Sequence, residues 1–175
     1  DATVGLAAVL ASTQRITDAQ GVMLEGRDKF NAALELSGDI AKRVDAATRN
    51  TVASEIQLLQ AVQATLGAAG SQGMSVDGNI KFLSDLANTM DVLKIDLARL
   101  DKEALALLTG QNLGNSEVVR RIPGIDSTTL QSWVKAGTVV ENLNKAFEQY
   151  AYAGEAAART YSGVSRDLTG TITGI

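Results

Sequence analysis

The residues of this chain that could carry chemistry are carboxylates, hydroxyls, amines and one glycine-rich segment, because its 175 residues include no His and no Cys. Without those two residue types the protein has no thiol nucleophile, imidazole base, haem ligand or ordinary zinc site. A disulfide framework is excluded for the same reason. Any active site would therefore have to be assembled from carboxylates, hydroxyls and amines alone.

The glycine-rich segment has the spacing Gly67-x-x-Gly70-x-x-Gly73, which invites comparison with a phosphate-binding loop. A P-loop closes with Gly-Lys-Ser/Thr and a dinucleotide-binding loop follows a strand, and neither feature is present here. Asp77-Gly78-Asn79 matches part of a calcium-binding loop but lacks the paired upstream oxygens and the terminal Glu. The pattern favours a plain turn between helices over a phosphate or calcium site.

A cluster of carboxylates follows in a stretch with helical periodicity. Its acidic members are Asp85, Asp91, Asp96, Asp101 and Glu103, and its basic members are Lys81, Lys94, Arg99 and Lys102. Interleaved charges of both signs are typical of a solvated helix face, so we expect an exposed, salt-bridged face here and not a metal or acid–base site. Di-metal bundles use Glu-x-x-His motifs, which this chain cannot make. The sequence predicts a protein that is not an enzyme and has no cofactor or metal.

Helices must position these side chains, because apolar residues recur at helical spacing through most of the chain. A stripe from Leu6 to Leu34 predicts one long first helix, although Gln20 and Arg27 interrupt the stripe and make it a poor coiled-coil seam. Ser37-Gly38-Asp39 is the predicted break, with a bend in one longer helix as the alternative. A second stripe, from Ile40 to Leu66, predicts the next helix.

The second half of the chain predicts a loop, a third long helix, a small appendage and a last helix. The predicted loop is Gly67–Gly78, and the third helix is Asn79–Leu108, which Thr109-Gly110 ends. The appendage comprises residues 111–137, with Ser116 and Ser127 as helix N-caps. The last helix is Thr138–Asp167. Residues 168–175 are poor helix formers. The predicted core includes Phe30, Leu59, Leu93, Val140, Leu143, Phe147, Tyr150 and Tyr161.

These elements predict a single all-α domain over residues 1–175. Its expected architecture is an elongated bundle of three to four long antiparallel helices with a small helical appendage around residues 111–137. Acid-first charge pairs at a spacing of four, such as Asp39 with Arg43 and Glu141 with Lys145, agree with exposed helix faces.

The charges are unevenly distributed. The formal net charge is −4, yet no charged residue occurs in residues 2–14, 56–76, 104–116 or 168–175. Charge depletion is typical of the core of a protein–protein interface. A central helix surrounded by its own neighbours would show the same depletion, so both interpretations of residues 56–76 stay open at this level.

Two of the uncharged stretches supply candidate interaction residues. The N-terminal segment offers Val4, Leu6, Val9 and Leu10, and the second stretch offers Gln57, Gln60 and Gln63. Burying a Gln amide costs less than burying an ion, so these glutamines suit a face that is wet only part of the time. We expect both segments to contact other copies of the chain, an apparatus or a membrane surface.

A third stretch resembles a known family. Residues 106–114 read Ala-Leu-Leu-Thr-Gly-Gln-Asn-Leu-Gly and are followed by Arg120-Arg121-Ile122-Pro123 and then by Trp133. This pattern resembles the minor pilin that tips the pilus in type IV secretion and conjugation systems. The resemblance covers about 28 residues, and the chain departs from the family in placing some hundred residues of helix before the turn. It implies an exported bundle at a pilus tip, with Asn112, Leu113 and Trp133 as further interaction candidates.

The sequence thus predicts a non-enzymatic helical subunit of a bacterial surface, secretion or pilus assembly, exported to the periplasm or the cell surface. Its expected partners are other copies of itself or other subunits, with a membrane or a recipient cell as a further contact. Nucleic acid is not an expected partner, because no basic stripe is present. The alternative is the extracytoplasmic, ligand-sensing four-helix bundle of a transmembrane receptor, in which a small molecule would bind between the helices.

Overall fold

In the computed structural model the chain is described over residues 2–150, 152–153 and 156, and this part folds into eight packed helices. The helices are α1 (Ala2–Thr13), α2 (Gly26–Ala47), α3 (Glu55–Ser71), α4 (Val76–Val92), α5 (Leu100–Thr109), α6 (Glu117–Arg121), α7 (Ser127–Ala136) and α8, which begins at residue 139 and continues through residue 150. Short 3-10 turns occupy Thr48–Asn50, Leu97–Arg99 and Leu113–Asn115. The predicted all-α helical bundle is confirmed.

The first predicted helix is in fact two helices. α1 ends at Thr13, where the hydroxyl groups of Ser12 and Thr13 bond back to the carbonyls of Ala8 and Val9 at 2.9 and 2.6 Å. Residues 14–25 then form a tight loop in which the carboxylate of Asp18 accepts two backbone N–H groups, both at 2.9 Å. An Asp that bonds to its own following backbone favours a turn over a helix.

The predicted break at Ser37-Gly38-Asp39 is wrong, because α2 runs through Gly38 without interruption to Ala47. The chain turns instead at residues 48–54, and α3 begins with a capping box formed by Ser54 and Gln57. The Ser54 hydroxyl accepts the Gln57 N–H at 3.1 Å, and the Gln57 amide oxygen accepts the Ser54 N–H at 2.9 Å. This cap divides the second predicted stripe into parts of α2 and α3.

The predicted loop at Gly67–Gly78 is shorter than expected, because α3 continues to Ser71 and α4 begins at Val76. The predicted third helix is divided as well. α4 ends at Val92, and Lys94 adopts a left-handed φ of 61° before the chain enters α5. The guanidinium of Arg121 donates to the freed carbonyl of Leu93 at 2.7 Å. A distant side chain therefore stabilises a helix end that the local sequence does not mark.

Other predicted boundaries agree with the structure. Gly110 ends α5 in the left-handed conformation, and Ser116 caps α6. The N-cap of α7 is Asp126 and not Ser127, which is the first helical residue. The bond from the Thr129 N–H lowers the pKa of the Asp126 carboxyl below its ordinary value. Since the folded-state pKa is lowered, this cap stabilises the fold above the ordinary Asp pKa and loses its contribution as the pH falls through the acidic range.

The centre of the molecule is α4, in which every residue from 82 to 90 is buried. Leu59, Leu143 and Phe147 lie in the core as predicted, and the Phe82 and Phe147 rings pack with their centroids 5.9 Å apart. Phe30, Leu93, Val140 and Tyr150 are only half-buried. Tyr161, the rest of the predicted last helix and residues 168–175 lie outside the described residues.

Asn88 links the core to the turn between α2 and α3. Its side chain is completely buried, its Oδ1 accepts the N–H of Val52 at 3.0 Å, and its Nδ2 donates to the carbonyl of Asn50 at 3.0 Å. The buried hydroxyl of Thr51 adds a bond to the carbonyl of Ser84. These bonds satisfy the backbone of an irregular segment inside the protein, which explains why the turn is placed here.

Leu59→Ala is expected to lower the free energy of unfolding by about 2–5 kcal/mol, because it empties a buried site in the N-terminal part of α3. Leu93→Ala is expected to cost less, since Leu93 is half-buried in the turn after α4. Urea unfolding followed by circular dichroism measures both values. Equal losses for the two variants would contradict this difference in burial.

Candidate interaction surface

The uncharged stretches 2–14 and 56–76 are brought side by side by the fold. The contact is closest at Gly5 of α1, where a Cβ atom would lie 3.0 Å from Oε1 of Gln63 in α3. Further along, Leu10 of α1 and Leu66 of α3 line the same cavity, so the two helices run in the same direction. Gly5 therefore permits a close approach of two helices that carry no charged residue over residues 2–13 and 56–71.

The outward residues of these helices form what we call the uncharged face. Its members are exposed and recur at helical spacing: Val4, Ala8 and Ser12 of α1, and Ile56, Gln60, Ala64, Gly67 and Ser71 of α3. Val4 is 48% exposed and Ile56 is 64% exposed, so each helix presents one large apolar side chain to solvent. The face combines two exposed apolar side chains with small neighbours that allow close packing.

The polar groups of the uncharged face are few. The hydroxyl of Ser12 bonds to the carbonyl of Ala8 at 2.9 Å, and the hydroxyl of Ser71 bonds to the carbonyl of Gly67 at 3.1 Å. Both serines are thus satisfied within their own helices. The Gln60 amide is the side-chain polar group that the face presents to solvent, and an amide can both donate and accept a hydrogen bond.

The structure places the predicted interaction residues in different environments. Val4 and Gln60 are exposed, and Val9, Gln57 and Gln63 are half-buried. The expectation that Leu6 and Leu10 lie on a contact surface is wrong, because both are buried in the chain's own core at 0% and 3% exposure. The apolar stripe of α1 packs against α2 and α3, and the residues between the stripe positions face outward.

The stretch 104–116 does not form a single surface. Leu113 is buried and so is not available for a contact with another molecule, whereas Asn112 is exposed and adopts a left-handed φ of 56°. Trp133 of α7 is half-buried against the core, where α7 packs on α5. The three residues singled out by the pilin resemblance therefore do not share one exposed patch.

The predicted exposure of Glu103 is wrong. It was expected on an exposed salt-bridged face, but its side chain is 1% exposed. Its two carboxylate oxygens accept the Ser116 hydroxyl at 2.6 Å, the Glu117 N–H at 2.8 Å and the Arg99 guanidinium at 3.4 Å. A buried carboxylate surrounded by three donors ties α5 to the start of α6. The sequence signal is its position at the edge of the long uncharged stretch.

Asp85 is a second exception to the predicted exposed face. It is buried at 8% exposure on the central helix α4, and its Oδ2 lies 2.8 Å from the Nζ of Lys81. Lys81 is itself well exposed, so the pair lies at the edge of the core. The interaction neutralises a carboxylate that burial would otherwise destabilise.

The basic doublet Arg120-Arg121 has a structural role. Arg120 donates to the carbonyl of Gly114, and Arg121 donates to that of Leu93 at 2.7 Å. Arg99 donates in the same way to the carbonyl of Asn115 at 2.7 Å. These three guanidinium groups donate hydrogen bonds to the irregular backbone around α6. The small appendage is therefore held by charge-assisted hydrogen bonds to main-chain oxygens as well as by apolar packing.

Within the described ranges, no group of three or more acidic side chains is arranged to hold a metal ion. Among the helices described there is also none with the length and apolar character needed to cross a bilayer. Described carboxylates that do have partners serve as helix caps, form exposed ion pairs or lie in the two buried sites around Asp85 and Glu103.

A cavity of about 240 Å³ opens between the end of α1, the middle of α2, the end of α3 and the start of α4. Its floor consists of the buried side chains of Leu10, Ile16, Ile40 and Leu66. Polar residues border it at Gln14, Arg15, Asp39, Arg43 and Asn79. It is separate from the uncharged face, which lies on the outer side of α1 and α3.

Comparison of the chain with models of protein families, with curated protein sequences and with solved structures gives no match. The resemblance to the minor pilins therefore stays a prediction that depends on the residues quoted for it.

Proposed function

We propose that this protein is a non-enzymatic helical subunit of an exported bacterial surface or secretion assembly, and that it contacts neighbouring copies through the uncharged face. The observation that supports this proposal is the pairing of α1 and α3. Two charge-free stretches, some fifty residues apart in the sequence, lie against each other at Gly5 and Gln63. An ordinary solvated surface would carry interspersed charges.

The rest of the surface explains why contact through this face is favoured. The chain has a formal net charge of −4, and the exposed sides of α2 and α8 carry ion pairs such as Asp39 with Arg43 and Glu141 with Lys145. A symmetric contact brings the same patch of both copies together. Contact through a charged side would take those charges out of water and leave some of them imperfectly paired, whereas contact through the uncharged face buries no ion.

Sedimentation velocity tests the proposal. The wild-type protein is expected to shift from monomer to larger species as its concentration is raised. Ala64→Glu adds a carboxylate at the centre of the face and is expected to keep the protein monomeric, because each copy would bury an unpaired charge. Ala46→Glu is the matched control, since Ala46 is an exposed residue of α2 outside the face. It is expected to behave like the wild type.

The absence of native cysteine provides a second measurement. A single cysteine introduced as Gln60→Cys can be joined to that of another copy by a bismaleimide reagent, with no competing thiol in the chain. We expect cross-linked dimers from this variant and none from Glu141→Cys, which places the thiol on an exposed position of α8. A strictly monomeric wild-type protein that also gives no Gln60→Cys cross-link would refute self-assembly through this face.

Deletion of α1 is not a suitable test, although α1 begins at the N-terminal end of the described chain. Leu6 and Ala7 are both fully buried, so their removal would open the core. Loss of association in such a deletion would report unfolding. Substitutions of outward-facing residues avoid this problem.

The interhelical cavity is the observation that favours the second candidate function, an extracytoplasmic sensing bundle. A receptor of that class binds a small molecule between its helices, and this cavity has an apolar floor with polar groups at its border. Membrane-spanning segments encoded on both sides of these 175 residues would support this candidate. A signal peptide followed by this domain alone would support the assembly subunit.

A further inference from the structure

We infer that the cavity between α1, α2, α3 and α4 is a binding site for a small aliphatic carboxylate that carries a hydroxyl group. The inference does not depend on the uncharged face, because no member of that face lines the cavity. It depends on three properties of the cavity: its apolar floor, a cation at its border without a partner, and a buried amide that is incompletely hydrogen-bonded.

The apolar floor defines the body of the ligand. Leu10, Ile16, Ile40 and Leu66 are each less than a tenth exposed, and Leu36 at the border is 43% exposed. An exposed leucine beside a cavity leaves apolar surface that a hydrocarbon chain would cover. The volume of about 240 Å³ is just below the range for drug-sized ligands, which indicates a molecule of about eight to ten non-hydrogen atoms.

Arg15 defines the charged end of the ligand. The other arginine of the border, Arg43, is neutralised by Asp39 at 2.8 Å and Asp77 at 3.2 Å. Arg15 forms no hydrogen bond or ion pair through its guanidinium with any residue in the described part of the chain. An arginine can bind a carboxylate through two parallel hydrogen bonds. A single carboxylate on the ligand therefore complements the border.

Asn79 defines the second polar group. It is 1% exposed, it lines the cavity, and its Nδ2 donates to the hydroxyl of Thr65 at 3.0 Å. The Thr65 hydroxyl has one proton, which it donates to the carbonyl of Ala61 at 2.7 Å. The Oδ1 of Asn79, 3.4 Å from the same hydroxyl, is therefore left without a full hydrogen bond. A hydroxyl on the ligand can donate to this acceptor.

The three features together select a hydroxycarboxylate over simpler molecules. A buried acceptor that lacks a donor is costly, so a ligand that supplies the donor gains more than its own hydrogen bond. A carboxylate without the hydroxyl would leave Oδ1 of Asn79 with only its long 3.4 Å contact to Thr65, and a diol without the carboxylate would leave Arg15 unpaired. Selectivity for the molecule that has both groups is the signature of this site.

The test uses 6-hydroxyhexanoate as the probe, with hexanoate and hexane-1,6-diol as comparison ligands that each lack one feature. Binding to the full chain is followed by NMR through the methyl resonances of Ile16 and Ile40. We expect 6-hydroxyhexanoate to bind about tenfold more tightly than either comparison ligand, because each comparison ligand lacks one of the two polar contacts. Absence of any methyl shift, or equal binding by the diol, would overturn the inference.

Variants separate the roles of the border and the cavity. Arg15→Gln is expected to make 6-hydroxyhexanoate bind no better than the diol, whereas Arg27→Gln, an exposed arginine about 14 Å further along α2 from Leu36, should change nothing. Gly70→Leu should block all three ligands. Gly70 lies in α3 beside the cavity, and a Cβ there would meet no other atom within 4 Å. Leu also favours a helix more than Gly, so the variant keeps the fold.

These results are distinguishable from those for the proposed function. Self-association is measured with Ala64→Glu and Gln60→Cys, both on the outer side of α3. A chain that associates but binds none of the three ligands would overturn the cavity inference alone. Unchanged ligand binding by Arg15→Gln would also overturn it, because the carboxylate would then not be recognised at the border.

Discussion

Glu103→Ala is expected to lower the free energy of unfolding by about 3 kcal/mol, a large loss for one exchange of a polar side chain. The variant removes the acceptor of the Ser116 hydroxyl and of the Glu117 N–H, and each buried donor left unsatisfied costs about 1–3 kcal/mol. It also removes the partner of Arg99, whose guanidinium lies 3.4 Å from the carboxylate. Urea unfolding followed by circular dichroism measures the loss.

The matched control is Glu141→Ala. Glu141 also pairs with a basic residue four positions away, but both side chains of that pair are about 70% exposed. Its loss is expected to stay within about half a kcal/mol, as for most exposed pairs. Glu103→Gln should fall between the two alanine variants, because the amide retains one acceptor oxygen. Equal stability of Glu103→Ala and Glu141→Ala would show that the buried carboxylate does not hold α6.

Phe147→Ala is expected to lower the free energy of unfolding by about 3–5 kcal/mol, the usual cost of removing a large buried aromatic side chain. Phe147 is fully buried and is the residue through which α8 reaches the ring of Phe82 on the central helix, with ring centroids 5.9 Å apart. The cavity left behind would be lined by α4, which is enclosed by other elements and has little freedom to collapse into it. Thermal and urea unfolding both measure this loss.

Tyr152→Ala provides the control within the same helical region. Tyr152 is 64% exposed, and its hydroxyl makes one long bond of 3.4 Å to Glu148. Its removal should change the stability by less than about 1 kcal/mol. If Phe147→Ala were as mild as Tyr152→Ala, α8 would not be an integral part of the bundle.

The existence of the helices was predictable because it depends on local periodicity, while several of their ends were not. Apolar residues recur at helical spacing within each stripe, and this spacing fixes both the helix and its buried side, as for Leu6, Leu59 and Phe147 on three different helices. Arg121 stabilises the break after Val92 and Asn88 stabilises the turn after Ala47, so both are supported by residues some 28 to 38 positions away. Gly38 carried a local signal for a break, but packing of α2 overrides the modest cost of one glycine in a helix.

The candidate surface was predictable in composition but not in geometry. The missing charges of residues 2–14 and 56–76 identify both helices of the uncharged face. The pairing of Gly5 with Gln63 is a tertiary contact that no local pattern encodes. Leu6 and Leu10 were assigned to the surface because an apolar N-terminal segment resembles a contact site, whereas in the structure their stripe is the inner side of α1.

The cavity could not be predicted from the sequence for a related reason. Its border takes Arg15 from the loop after α1 and Asn79 from α4, which are distant in the chain. Neither residue stands out by type or spacing. The significance of Asn79 depends on how the single proton of Thr65 is shared, and that is a property of three-dimensional geometry.

The continuous burial of residues 82–90 has a consequence for how this protein exchanges its amide hydrogens with solvent. No amide in the middle of α4 can reach water by fraying of one helix end, since the surrounding helices must first separate. These amides should therefore exchange only through opening of the whole domain, and their protection factors should report its global free energy of unfolding. The first turn of α7 is partly exposed and should exchange through local opening, so one experiment would rank the bundle and its appendage by stability.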